Sequence, residues 1–474
     1  MKNKNETKSL LINMFTFGIG TFGSKLIMFL LIPLYTTYMN NIELGIGELV
    51  VNTMNLIFPI ATLNIHSSLL RFTLDKSYDK KKVFQNTIIV IVSGFIITSY
   101  LIQKFNINSS VNDWKLHLCI LLFTYSIRQA FSVFTKALGK TFIFTIDNIF
   151  YTACQLFFSI ILLVVLNKKT DGYLEAMIYT NIISSIFLFF VSKLYQYFTI
   201  DFIDTKLIKK MTAFSAPLIL NTISWWVTSF FDRFILEQYM GVNAVGIYSI
   251  ASKMPALITA AASVFMQAWV LSAIKEYDNE SNKSFFSNIF EQFSFIMLII
   301  SAFAIVLIKP FFLLFIGEDF VNSWIYVPFL ILGASFSGLA DFFGAIYNSA
   351  KKNVRIMFTT IIGATINIIL NILLIPRIGI QGAVIATMIS YFSIALYRLL
   401  GSRKFLKFNI NFYKLGIGYI ILFLECCSII YIKNGIFIEL LLLLILLAVY
   451  IRNIKLLVNT LYLILKRLVK KQKH

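Results

Sequence analysis

Lys80-Lys81-Lys82 followed by VFQNTIIVIVSGFIITSYLIQ (residues 83–103) decides how this chain folds. Three lysines open the stretch, and the 21 residues 83–103 then pass without a charge before Lys104. A helix of about 20 apolar residues matches the roughly 30 Å hydrocarbon core of a bilayer. The run lacks the strict alternation of a barrel strand, which needs only about ten residues to cross. In lipid, each backbone N–H and C=O must be satisfied within the segment, which leaves a helix. Residues 83–103 read as a membrane-spanning helix with a cationic flank on one side.

The same reading applies on both sides of this stretch. Fourteen apolar spans are expected, at 10–36, 49–70, 83–103, 116–135, 142–166, 174–192, 212–236, 245–272, 285–308, 324–348, 356–375, 379–397, 415–432 and 435–451. The 474 residues are 58% hydrophobic and 14% charged, against about 25% charged in soluble proteins. No connecting segment is long enough for a soluble catalytic domain. The expected fold is an all-α polytopic membrane protein.

The net charge of +20 raises the question of a nucleic-acid partner. With the N-terminus placed in the cytoplasm, 31 of the 42 Lys and Arg fall on inner segments and 7 on outer ones. This asymmetry follows the positive-inside rule, with both termini cytoplasmic. The charge is a topology signal, no nucleic-acid partner is implied, and the expected location is the cell (plasma or inner) membrane. The first apolar segment exceeds a signal-peptide core and lacks a clear small-residue cleavage site, so it reads as a retained helix.

The chain also carries an internal echo. Tyr38-Met39 and Leu44-Gly45-Ile46 recur at an offset of 201 as Tyr239-Met240 and Val245-Gly246-Ile247. Gln155 and Ser159 align with Asn367 and Asn371 at an offset of 212. The order of these matches predicts two pseudo-repeated six-helix bundles, over 1–200 and 201–410, with two further transmembrane helices and a basic tail over 411–474. An even number of spans per copy gives parallel repeats, an architecture that puts a transporter's site between halves. Residues 454–474 read as a basic amphipathic helix on the anionic inner leaflet or, alternatively, as a plain stop-transfer tail.

Four cations lie inside spans: Lys25, Arg128, Arg233 and Lys253. Charges at that depth are costly and face a bundle interior or a water-filled cavity. Two uses compete. Ion pairs with Asp147, Asp232 or Asp341 would lock the bundle, whereas a cationic cavity would receive an anionic group such as a phosphate. Lys253 has a third option, since an ammonium near a span end can snorkel outward. Against these four cations the spans set the three carboxylates Asp147, Asp232 and Asp341, a balance that favours an anionic ligand over a cationic drug. The seven prolines lie in or beside spans, as bends or hinges. Cys119, Cys154, Cys426 and Cys427 show neither metal nor disulfide spacing, and the three histidines lack ligand neighbours. No catalytic residue, metal or cofactor is expected, and no phosphate-cradling glycine loop marks an ATP-driven pump.

Three stretches carry a resemblance: FTFGIGTFGSKLIMFLLIPLYTTYM (15–39), IFPIATLNIHSSLLRFTLD (57–75) and FFDRFILEQYMGVNAVGIYSIASKMP (230–255). They are similar to the bacterial polysaccharide flippases of the MATE-like superfamily of multidrug, oligosaccharidyl-lipid and polysaccharide exporters. The most specific motif is Asp232-Arg233 followed by Gly246-Ile247-Tyr248 and Lys253. The resemblance implies alternating-access translocation of undecaprenyl-pyrophosphate-linked oligosaccharide units from the inner to the outer leaflet, for assembly of capsule, O-antigen or exopolysaccharide. It implies the lipid-linked substrate and membrane lipids as partners, with a glycan polymerase and glycosyltransferases nearby. Lys25, Arg128, Arg233 and Lys253 are then the substrate-binding candidates, and Asp147, Asp232 and Asp341 the ion-coupling candidates. A peptidoglycan-precursor flippase, an ion-coupled multidrug antiporter and a scaffold for glycan assembly are the rival readings.

Overall fold

The computed structural model describes residues 23–25, 27–106, 109–198, 203–276, 283–350, 352–406, 408–432 and 435–455. Residues 10–22 of the first expected span, and the tail helix beyond 455, lie outside them. All regular structure among the described residues is helical. The first helix, α1, covers 27–38. Next come α2 (Asn41–Ala61), α3 (Ile65–Leu74), α4 (Lys80–Lys104) and the single turn α5 (Ser109–Asn112). They are followed by α6 (Lys115–Ala137), α7 (Thr141–Ser159), α8 (Lys169–Val191), α9 (Thr205–Met240) and α10 (Val242–Lys253). The rest are α11 (Ala256–Glu276), α12 (Lys283–Phe315), α13 (Val327–Ser349), α14 (Asn353–Ile378), α15 (Ile380–Ser402), α16 (Phe412–Tyr431) and α17 (Ile436–Val449).

Eleven helical stretches among the described residues are long and apolar enough to cross a membrane. Helix α9 is not one of them, and α17 is a shorter apolar helix. Large apolar side chains stand outward on these helices, among them Ile96, Ile97 and Tyr100 on α4 and Leu441 and Leu444 on α17. Such faces are stable against lipid and not against water. The chain is a multi-pass membrane protein.

Two expected spans are broken. The run 49–70 divides at 62–64, where Leu63 and Asn64 adopt positive φ of 48° and 50° and end α2. The run 245–272 divides at Lys253-Met254-Pro255, between α10 and α11. Proline has no N–H to continue the ladder and clashes with the preceding turn. Hydropathy sees through both breaks, because each is only about three residues long and is flanked by apolar helix on both sides.

The chain forms two compact units. The first holds residues up to Lys253 with Phe315–Ser323 and Thr360–Ser390. Its apolar core joins α3, α4, α6, α8 and α9 through Leu69, Phe84, Phe131, Phe134, Leu188 and Met211. Phe84 and Phe134 stack at 4.4 Å between centroids. Helix α2 starts at a capping box: the Asn40 side chain accepts from Glu43 N–H (2.9 Å) and the Glu43 carboxylate accepts from Asn40 N–H (3.0 Å).

Helices α2 and α10 cross with their backbones nearly touching. A Cβ on Gly45 would lie 2.4 Å from the carbonyl oxygen of Val242, and one on Gly246 would lie 2.0 Å from that of Asn41. Each glycine is the fifth residue of its helix and meets the first residue of the other. The two positions differ by the same 201 residues as the sequence echo, so the echoed segments face each other reciprocally, as a local twofold axis requires. At the same end, Thr36 Oγ1 accepts from Gly317 N–H (3.2 Å) and Asn41 Nδ2 donates to the Asp319 carbonyl (3.1 Å).

The second unit holds Met254–Leu314, Trp324–Thr359 and Tyr391 onward. Its centre is aromatic. Trp269 lies flat on Phe342 with centroids 4.3 Å apart and donates its indole N–H to the Phe342 carbonyl (3.1 Å). Phe286, Phe290, Phe293 and Phe343 close round them. Trp269→Ala is expected to cost roughly 3 kcal/mol, the low end for a buried tryptophan, because lipid-buried helices lose packing and little water-exclusion energy. A fall in thermal unfolding temperature in detergent checks it, with no fall counting against it.

Candidate functional site: a buried charge network

Among its described residues, the first unit contains two clusters of buried charge. The first cluster links α6, α7 and α8. Arg128 Nη2 sits 2.7 Å from Asp147 Oδ2, with the guanidinium 4.1 Å above the Tyr151 ring. Arg128 Nε donates to Ser184 Oγ (3.1 Å), and Ser184 in turn donates to Asp147 Oδ1 (2.5 Å). Both charged groups are buried, Asp147 completely. This arrangement leaves Arg128 tied to a carboxylate, as the pairing alternative in the sequence anticipates.

The second cluster gathers around the break after α10. Lys253, the last residue of α10, places Nζ 2.5 Å from Glu48 Oε1 on α2. A cation at a helix C-terminus also meets the negative end of the helix dipole. Tyr173 of α8 donates its hydroxyl to the same Glu48 oxygen (2.9 Å). On α9, Arg233 pairs with its neighbour Asp232 (3.0 Å) and donates to Ser252 Oγ (2.6 Å). The other oxygen of Asp232 accepts from the Tyr248 hydroxyl and from Thr387 Oγ1 (3.4 Å). Arg233 lies close enough to Glu48 for their charges to interact. The Tyr35 ring meets Tyr173 edge-on at 4.9 Å, and the Tyr35 hydroxyl bonds Gln155 and Ser159 (both 3.3 Å). Among these buried polar atoms, Arg233 Nε and Gln155 Oε1 have no hydrogen-bond partner.

The structure thus brings Arg233, Lys253 and Asp232 into one network and keeps Arg128 and Asp147 in another. Lys253 does not snorkel: it is held by Glu48 with 29% of its side chain exposed. Lys25 is helical and partly buried, and it forms no ion pair among the described residues. Asp341 is in the second unit, 3.8 Å from Arg398, with 46% of its side chain exposed.

Sequence reading missed two of these residues by one position each. Glu48 precedes the span assigned to 49–70, and Arg398 follows the span assigned to 379–397. Both are buried inside helices. Arg398 donates to Thr359 Oγ1 and to the Ala340 carbonyl, each at 3.0 Å. The Asn40-x-x-Glu43 signature was the available signal, since it starts a helix at 41 and puts Glu48 two turns inside. Glu425 and Glu439, within spans and buried, also escaped the count of carboxylates. With Glu48, Glu425, Glu439 and Arg398 included, the cation excess inferred from sequence disappears. The functional reading has to rest on which cations are free to act.

Comparison with known proteins gives the family. A family model described as polysaccharide biosynthesis protein matches residues 10–270. An uncharacterized membrane protein of Methanocaldococcus jannaschii is 25% identical over 237 residues, and the match spans 45% of each chain. Among solved structures, the lipid II flippase MurJ in an inward closed conformation superimposes with a TM-score of 0.70 at 16% identity, covering 94% of this chain and 99% of that one. An inward-facing multidrug resistance MATE transporter gives a TM-score of 0.67 at 13% identity, covering 80% and 94%. At these identities the likeness is one of fold. The family match covers more than half of the chain and includes the whole of both charge clusters except Thr387, so this protein belongs to the polysaccharide biosynthesis protein family.

Proposed function

We propose that the protein is a flippase that moves undecaprenyl-pyrophosphate-linked oligosaccharide units from the inner to the outer leaflet by alternating access. The observation that carries this reading is the state of the cations in a chain of this family. Arg128 and Arg233 are buried in ion pairs, whereas Lys25 has no such partner among the described residues and Lys253 is partly exposed at a broken helix. Broken helices lining a cavity are where transporters place their substrate contacts. A pyrophosphate brought to Lys253 competes with Glu48 for the same ammonium, so binding and rearrangement of α2 against α10 are linked. Arg128 and Arg233 meet substrate only if their carboxylates release them. In the same scheme Asp147 and Asp232 are held by arginines, and Asp341 is the most exposed of the three ion-coupling candidates.

The test uses purified protein in proteoliposomes with a fluorescent lipid-linked oligosaccharide. Lys25→Ala and Lys253→Ala are each expected to cut translocation about tenfold or more, the equivalent of losing about 1.4 kcal/mol of charge-assisted binding. Full activity in both folded variants rejects the cationic site. Translocation of lipid II in preference to the oligosaccharide carrier would reassign the substrate to peptidoglycan precursors. Efflux of cationic dyes would move the protein to the multidrug class.

A further inference from the structure

Helices α16 and α17 form a hairpin that contributes nothing to the two charge clusters, yet each carries a buried glutamate. Glu425 on α16 is completely buried, and neither of its carboxyl oxygens has a hydrogen-bond partner. Glu439 on α17 is 3% exposed and forms no salt bridge among the described residues. Glu439 lies at the closed end of the hairpin, and the two carboxyls are near enough for their charges to interact. A Cβ on Gly435 would touch the Ser428 carbonyl at 2.7 Å and Glu439 Oε1 at 3.3 Å. Ser428 stands one turn beyond Glu425 and donates its hydroxyl to the Glu425 carbonyl (3.0 Å).

We propose that Glu425 and Glu439 form a proton-binding site, with a proton resident on the buried Glu425 carboxyl. An ionised carboxylate with no hydrogen bond, in a site sealed from water, is among the least stable arrangements in a protein and neutralises instead. A second carboxylate close enough for the charges to interact strengthens that demand, because a like charge disfavours ionisation. The groups facing the pair do not supply a countercharge to Glu425. On α12, Lys309 acts on Glu439 from beyond ion-pair distance and rests 4.9 Å from the Trp324 ring. On α13, Ser335 is bonded to Tyr419 of α16, and Asp341 is paired with Arg398. At the far end of α16, Lys414 is bound to Glu291 of α12 (2.7 Å). On α16 itself, Cys426 and Cys427 follow Glu425 directly.

A metal cation is the poorer occupant. Hard cations need about six oxygen ligands, and no group of three or more His, Cys, Asp or Glu among the described residues could hold one. One proton converts Glu425 from an acceptor without donors into a neutral acid. The site is independent of the flippase reading, so either can fail alone.

Infrared difference spectroscopy on the full chain in lipid vesicles reads the proton directly. The wild type at neutral pH is expected to show a protonated-carboxyl C=O stretch that shifts in deuterated buffer, is lost in Glu425→Gln, and moves in frequency in Glu439→Gln. Wild-type and Glu425→Gln spectra that coincide in this region would overturn the proposal. Loss of the wild-type band on adding sodium or potassium at constant pH would overturn it too, in favour of a metal cation. Should Glu425→Gln fail to fold, the wild-type deuterium shift together with Glu439→Gln still decides: a band absent from the wild type, or unmoved by Glu439→Gln, rejects the pair.

Discussion

Gly246→Leu is expected to abolish translocation, and to do so by preventing closure rather than by touching substrate. The Cβ alone would fall 2.0 Å from the Asn41 oxygen and 2.8 Å from its carbonyl carbon. Both are backbone atoms of α2, so no flexible side chain can yield. Overpacking of this kind costs about 2 kcal/mol, which by itself shifts an equilibrium between closed and open forms about 30-fold toward open. Gly416→Leu is the matched control, since a Cβ at Gly416 meets nothing within 4 Å. The measurement is translocation together with labelling of a cysteine placed at Asn41 by a membrane-impermeant maleimide. Labelling should be fast in the Gly246→Leu background and slow where the glycine is kept. Normal transport by Gly246→Leu would mean that the contact is not part of the cycle.

Arg128→Ala is expected to produce the largest loss of stability of any single change in the first unit. It leaves the fully buried Asp147 with only the Ser184 hydroxyl as partner. Removing one member of a buried ion pair typically costs about 3–5 kcal/mol, because the surviving charge stays desolvated. The double change Arg128→Met with Asp147→Leu removes both charges while roughly keeping volume, and frees Ser184 to bond its own helix. The double variant should regain most of the thermal stability in detergent and most of the transport. A double variant that folds but does not transport would instead make Arg128 a substrate contact, restoring the wider cationic cavity expected from sequence.

The membrane class was legible because lipid imposes one demand on every span, and hydropathy over 83–103 reports it directly. The echo Leu44-Gly45-Ile46 and Val245-Gly246-Ile247 was legible too, and the structure gives it a physical reason in the reciprocal glycine contact. Partner choice was legible only at short range. Arg128 and Asp147 lie 19 residues apart on consecutive helices, whereas Lys253 and Glu48 are 205 apart and no periodicity links them. Glu48 and Arg398 were hidden by span edges drawn one residue short of them. Asp341 shows the reverse error: it lies deep in an apolar run, yet nearly half of its side chain is accessible. Its neighbours one turn away on the same face, Ser337 and Ala345, are too small to cover it.

The junction of Gly45 with Gly246 is built from main chain and the aliphatic side chain of Val242. It has no group that ionises, oxidises or accepts a modification, so neither acidity nor redox state can act on it where it stands. Any signal that opens it must arrive mechanically, as a displacement of the two rods it joins. The ion pair that bridges those same rods is Glu48–Lys253, about one turn beyond Gly45 and two beyond Gly246. A junction of this kind is a passive clasp, and the pair below it is the lever.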